Sequence, residues 1–109
     1  MVEYSNPLTG GPVMPTIACF AQRLAPRSET TAHRHTSSTI YHVIEGEGAT
    51  IIDGERYEWG SKDVICVPGW ATHRHINYSS SHPAYLFSYS DAPVLKALRL
   101  YREEDVAAQ

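Results

Sequence analysis

The sequence predicts an all-β fold: a sandwich or closed barrel of seven or more short strands, with one short helix near the C-terminal end. Turn-forming clusters such as "NPLTGGP", "LAPRS", "EGEG", "IDGE", "EWGSKD", "VPGW" and "SSSHP" interrupt the chain every eight to twelve residues, which is the rhythm of short strands. The stretches between them are rich in Ile, Val, Thr, Tyr and Phe, residues that suit a pleated, half-buried surface. At 109 residues the chain reads as one domain with a modest core, burying ~60 to 65% of its unfolded surface. So many strands avoid exposed edges most simply by closing on themselves.

Residues 1–12, ending in "NPLTGGP", read as an arm or linker, and residues 13–91 as the barrel. "TIACFAQRL", "STIYHVIEG", "GATIIDG", "RYEW", "DVICVP", "THRHINYS" and "AYLFSYS" are the expected strands. Asp53-Gly54, between "ATII" and "ERYEW", supplies the positive dihedrals of a tight hairpin turn. The period then changes. In residues 92–104, Val94, Leu95, Leu98 and Tyr101 share a helical face after a Ser90 or Asp91 cap, with Pro93 in the first turn. Residues 105–109 are left as a tail.

Composition narrows the functional classes. The net charge is -3 and the nine Lys and Arg are scattered, so no basic stripe exists for a phosphate backbone and nucleic acid is not an expected partner. Cys19 and Cys66 lie far apart in apolar stretches, which predicts buried reduced thiols and no disulfide. "MVEYSNPLTGGPVMP" lacks a signal pattern and no run has the length of a membrane span, so no membrane association and a cytoplasmic location are expected.

The chemistry lies in a tripeptide used twice. "TAHRH" at residues 31–35 and "ATHRH" at 71–75 contain four of the six histidines. Side chains alternate across a strand, so His33 and His35 face one way and Arg34 the other; His73, His75 and Arg74 repeat the pattern. Imidazoles at i and i+2 can converge on one point, and neutral imidazole binds Fe, Zn, Cu and Ni. His42 alternates out of phase with Thr39, Tyr41 and Val43 and is expected to point outward; His82, before Pro83, belongs to a turn. Arg34 and Arg74 are expected in outer-face ion pairs, and Asp63 in a turn.

These residues resemble the cupins. The first cupin motif runs Gly, five residues, His-x-His, three or four residues, Glu, six residues, Gly; "RSETTAHRHTSSTIYHVIEG", Arg27 to Gly46, is similar to it. The second runs Gly, five residues, Pro-x-Gly, two residues, His, three residues, Asn, and is read in "GSKDVICVPGWATHRHIN", Gly60 to Asn77. Arg27 stands at a motif Gly, Thr39 at the ligand Glu and Trp70 at the Gly of Pro-x-Gly. The resemblance implies a single cupin barrel, a double-stranded β-helix or jelly roll, with His33, His35 and His73 as ligands of one divalent metal per chain.

From "NPLTGGPVMPTI" to "SDAPVLKALRLYREE" the chain is similar to the carboxy-terminal cupin of gentisate 1,2-dioxygenases and their salicylate and 1-hydroxy-2-naphthoate relatives. That family holds Fe(II) on three histidines without a carboxylate, which accommodates Thr39. The resemblance implies a non-haem dioxygenase with a small hydroxy-aromatic acid and O2 as partners, and Fe(II) as the functional metal, with Zn, Ni or Cu able to occupy the site. Three neutral ligands leave an ion its full charge and so favour an anionic chelating substrate. Tyr41, Trp70, His75 and Asn77 are the candidate pocket residues. Two other readings stand beside this one: a metal-binding cupin without oxygenase activity, and a scaffold cupin. A homodimer is expected through Ile40, His42 and Ile44 with "TIACF", Leu95 and Leu98, the two copies standing in for the two halves of the larger enzymes.

Overall fold

A computed structural model describes residues 2–4, 10–12, 14 and 16–106. In chain order its elements are β1 (Val2–Tyr4), β2 (Ala18–Leu24), β3 (Ser28–Glu29), β4 (His33–His35), β5 (Thr39–Glu45), β6 (Gly48–Ile52), β7 (Glu55–Trp59), β8 (Val64–Val67), β9 (His73–Asn77), β10 (Ala84–Ser90), α1 (Ala92–Ala97) and β11 (Glu103–Asp105). One antiparallel sheet has the order β1-β2-β10-β5-β8, the other β11-β4-β9-β6-β7, with β3 added on β9. Apart from β1-β2 and the β6-β7 hairpin the neighbours are far apart in sequence, which is how a jelly roll wraps its strands into two facing sheets.

Alternation decides what fills the space between the sheets. Thr39, Tyr41 and Val43 of β5 are buried, as are Ala84, Leu86, Ser88 and Ser90 of β10. The two strands are antiparallel, with Leu86 opposite Val43 and Ser90 opposite Thr39. Apolar side chains therefore meet at one end of the barrel and hydroxyls at the other. Leu24, Tyr41, Val43, Trp59, Val67, Ala71, Ala84 and Leu86 form the core. The hydroxyl end cannot be packed with hydrocarbon without stranding its donors, so it stays open as a cavity.

The Asp53-Gly54 hairpin forms between β6 and β7, with φ of 49° and 85° at the two residues. Gly46 has φ 115°, and a Cβ there would meet the Ala84 Cβ at 2.7 Å, so this last glycine of the first motif is required by both backbone and space. The residues that stand at the other motif glycines adopt the left-handed backbone themselves. Arg27 has φ 54° and Trp70 φ 64°. Lys62 has φ 74°, and this corrects the register of the second motif: with five residues between it and Pro68, its first glycine falls on Lys62, not on Gly60. Each substitution keeps a left-handed turn that costs an L-residue ~1 kcal/mol or more.

Four sequence expectations need correction. The helix spans Ala92–Ala97 and not 92–104, although its N-cap is Asp91 and Pro93 lies in its first turn as expected. It is closed by a Schellman arrangement: Arg99 takes φ 60°, its N–H donates to the Lys96 carbonyl at 3.1 Å, and the Leu100 N–H donates to the Leu95 carbonyl at 2.7 Å. Leu98 is left exposed while Val94 and Leu95 are half-buried. Beyond the helix the chain turns back, and β11 pairs with β4, so Asp105 belongs to a strand and not to a tail. At the other end, Val2–Tyr4 of the expected arm pairs with β2. Cys19 and Cys66 are both free, but Cys66 is exposed and Cys19 half-buried, because both lie on the outward parity of their strands.

Candidate metal centre

His33 of β4 and His73 of β9 are opposite one another in register. His35 follows on the same face of β4, so three rings from two adjacent strands converge. The ring centroids of His33 and His73 are 4.3 Å apart, those of His35 and His73 5.1 Å, and those of His33 and His35 5.6 Å. One nitrogen from each ring lies within 4.8 Å of the others.

Backbone carbonyls determine which nitrogen that is. The Nδ1–H of His33 donates to the Thr31 carbonyl at 3.1 Å, that of His35 to the Ser37 carbonyl at 2.9 Å, and that of His73 to the Ala71 carbonyl at 3.1 Å. All three acceptors lie two residues from their histidine. With Nδ1 protonated and tied down, every Nε2 keeps its lone pair, the tautomer and orientation needed in a metal-ligating imidazole. Burial, reinforced by neighbouring His33 and His35, holds the His73 pKa down to about 4. Three neutral nitrogen donors fit a divalent transition metal, which takes imidazole at about 2.0–2.1 Å. Among the described residues this is the cluster of ligating side chains able to hold such an ion.

The cavity at the hydroxyl end has a volume of about 460 Å³ and reaches His33 and His35. Thr39, Tyr41, His75, Ser88 and Ser90 also line it, while His73 is buried with 1% of its surface exposed. A larger groove of about 680 Å³ runs between β7 and β8 past Glu55, Tyr57 and Val64 and contains no histidine; its size does not make it the site.

The four candidate pocket residues separate into two pairs. Tyr41 reaches the site: its Oη lies 3.4 Å from the His73 Nε2, and burial pushes its phenol well above the usual tyrosine range. His75 reaches it as well, its ring 4.4 Å from that of Tyr41. The Trp59 Nε1–H donates to Thr50 Oγ1 at 2.9 Å, and the Thr50 hydroxyl lies 2.8 Å from His75 Nδ1. Donation from Thr50 to Nδ1 puts the His75 proton on Nε2, an atom that is buried without a hydrogen-bond partner. Burial lowers the His75 pKa to about 3, so this N–H is a neutral donor.

Trp70 and Asn77 do not reach the cavity. The left-handed turn at Trp70 carries its ring outward, 38% exposed, with the Arg34 guanidinium 4.3 Å from its centroid. Asn77 clamps a loop: its Nδ2 donates to the Leu24 and His82 carbonyls at 3.1 and 2.9 Å, and its Oδ1 accepts from the Ser79 N–H at 3.0 Å. Arg34 pairs with Glu104, and Arg74 with Glu29 at 2.8 Å, as the outward parity of the two arginines predicts. His42 is half-buried on the outer face and His82 is exposed, bonded to the neighbouring Ser81 hydroxyl at 2.8 Å. Asp63 accepts from the Gly60 N–H at 2.8 Å within its turn. Sequence reasoning missed Ser37, Ser88 and Ser90 as cavity residues; the alternating "SYS" of β10 carried that signal. It also missed Lys96, Tyr101 and Glu103 at the mouth, because a continuous helix was expected there.

The family profile described as a cupin domain matches residues 20–89. Over 108 residues the chain is 51% identical to a 5-aminosalicylate 1,2-dioxygenase of Comamonas sp, covering 99% of this chain and 28% of that protein. It is 42% identical over 106 residues to a 1-hydroxy-2-naphthoate 1,2-dioxygenase of Nocardioides sp. strain KP7, covering 97% of this chain and 27% of that one. The crystal structure of a salicylate 1,2-dioxygenase from Pseudaminobacter salicylatoxidans superposes with a TM-score of 0.90 at 36% identity, over 95% of this chain and 29% of that one. The chain thus spans less than a third of the length of these relatives, and it corresponds to their carboxy-terminal cupin region.

Proposed function

The chain belongs to the cupin domain family, and we propose that it holds one Fe(II) on His33, His35 and His73 and acts with O2 on a hydroxylated aromatic carboxylate. The observation that carries this reading is the convergence of three imidazoles at a polar cavity, one nitrogen from each within 4.8 Å of the others and each Nδ1 in hydrogen-bond contact with a backbone carbonyl, which leaves Nε2 to ligate. The dioxygenases to which the chain is similar supply the substrate class. When bound, the metal would supply a Lewis acid with open positions for substrate and O2.

The chain's own residues do the rest. The carbonyls of Thr31, Ser37 and Ala71 hold the imidazoles in the ligating tautomer. The His75 Nε2–H is a neutral donor with no internal acceptor, able to orient an oxygen of the bound acid. The Tyr41 hydroxyl, beside the His73 Nε2, is held protonated by its burial and can donate to the same ligand. Ser88 and Ser90 keep that end of the cavity polar, while Val43 and Leu86 below it belong to the buried apolar core.

Anaerobic loading with Fe(II), followed by oxygen-uptake assays with gentisate, salicylate and 5-aminosalicylate, tests the reading. One iron per chain and oxygen consumption stoichiometric with substrate are expected. Iron uptake without oxygen consumption would reduce the protein to a metal-binding cupin, and failure to take up metal would leave a scaffold. The reading includes a homodimer through the outer face of the first sheet, where Ile40 and His42 are half-buried and Ile44, Val64, Tyr85 and Tyr89 are exposed. A face this apolar on a strand-rich domain calls for cover. Sedimentation at micromolar concentration should give a dimer, and a clean monomer would remove that part of the proposal.

A further inference from the structure

The mouth of the cavity is built by the segment that follows the barrel. Lys96 of α1, Tyr101 and Glu103 beyond it, and Glu3 of β1 line the same cavity as His33 and His35, and Lys96, Glu103 and Glu3 are exposed and Tyr101 half-buried, which puts them on its solvent side. Lys96 is the lysine or arginine side chain among the residues that line this cavity. Its ammonium lies 4.9 Å from the centroid of the Tyr101 ring. Tyr101 is itself fixed, its hydroxyl donating to Glu103 Oε2 at 3.0 Å.

The surroundings of Lys96 differ from those of the arginines nearby. Arg34 and Arg74 are paired with Glu104 and Glu29 on the outer face. Among the described residues no carboxylate lies within ion-pair distance of Lys96. A cation resting on an aromatic face keeps its charge and its hydrogen-bond donors for another partner. Glu3 and Glu103 at the same rim repel an anion, so without Lys96 the mouth would disfavour an acid. The Schellman closure at Arg99 matters here, because it ends the helix at Ala97, one residue after Lys96, and brings Tyr101 back beneath the ammonium.

We propose that Lys96 is a specificity-determining residue of this cavity and receives the carboxylate of the entering aromatic acid, with Tyr101 as its platform. The inference rests on the proposed function above, since it takes the acid from that reading. It adds the residue that would distinguish an acid from an uncharged phenol.

The test uses the full chain loaded with Co(II), whose visible spectrum reports ligand binding without turnover. The wild type, Lys96→Met, Lys96→Arg and Lys96→Glu proteins, at equal metal content, are titrated with salicylate and with catechol. Loss of the ammonium should weaken salicylate about tenfold, the scale of a partly exposed charge-assisted hydrogen bond. Lys96→Glu should weaken it further and Lys96→Arg should retain it, while catechol binding stays within about twofold throughout on the same scale. Salicylate binding equally well to Lys96→Met would overturn the inference and leave the proposed function standing. Parallel loss of catechol binding would overturn it too, by showing a general defect of the mouth. A wild-type protein that takes up Co(II) and ignores salicylate would defeat both.

Discussion

His33 and His73 are register partners across β4 and β9, and their rings lie 4.3 Å apart. That single pairing brings the two His-Arg-His tripeptides to the same level of the barrel. It also explains why the fourth histidine of the pair of motifs, His75, lies outside the three-histidine cluster: it is two residues further along β9, beyond the one β4–β9 pair, and its Nδ1 meets the Thr50 hydroxyl at 2.8 Å.

Each of His33→Ala, His35→Ala and His73→Ala should therefore abolish stoichiometric metal binding, since two imidazoles leave an incomplete face. His42→Ala and His82→Ala should keep one metal per chain, because neither side chain reaches the cavity. Elemental analysis of the purified proteins decides this. Full occupancy in His73→Ala would refute the ligand assignment.

The metal-free protein should lose stability in acid well before its carboxylates titrate. Folding holds the pKa of His73 down to about 4 and that of His75 to about 3, whereas the unfolded residues titrate near about 6.5. Between those values the unfolded chain binds more protons, so the stabilisation present above about pH 6.5 declines as the pH falls toward the folded values. For His73 alone the loss is on the order of 3 kcal/mol by pH ~4. Urea unfolding midpoints at pH ~7.5 and ~4.5 should differ accordingly; equal midpoints would contradict the buried neutral imidazoles.

Strand parity made much of this site legible in advance. Alternation alone puts His33, His35 and His73 on the inside and Arg34 and Arg74 outside, and the Asp53-Gly54 hairpin follows from turn chemistry. Backbone geometry that the usual residues do not announce was harder to read. Trp70 and Lys62 occupy left-handed positions where glycine is the usual signal, so Trp70 turns away from the pocket and nothing in the sequence marks Lys62 as the start of the second motif. Arg99 closes the helix where a glycine was absent, so the helix was extended too far. Asn77 shares the inward parity of His73 and His75, but its amide is engaged by the loop at Ser79 and His82.

Lys62→Gly should stabilise the protein. Lys62 is exposed with φ 74°, and its N–H donates to the Val43 carbonyl at 2.8 Å, a bond glycine keeps. Removing left-handed strain of ~1–2 kcal/mol outweighs the greater chain entropy of glycine, ~0.5–1 kcal/mol, for a net gain of ~0.5–1 kcal/mol. Thermal denaturation should show a rise of a few degrees. A fall would mean that the lysine side chain contributes more than its backbone strain costs.

Thr39 decides the charge of the centre. It is buried, lines the cavity with His33 and His35, and is the register partner of Ser90 on one side and Val67 on the other. In Thr39→Glu a carboxylate joins three neutral imidazoles, so the net charge of a divalent site falls from +2 to about +1 by simple charge count. The added ligand should tighten metal binding, measured by competition with a chelator. The lower charge and the filled position should together weaken salicylate at least about tenfold, more than 1 kcal/mol. If chelator competition shows tighter metal while salicylate binds as before, the charge of the ion is not what draws the acid in, and the recognition must lie with residues at the mouth.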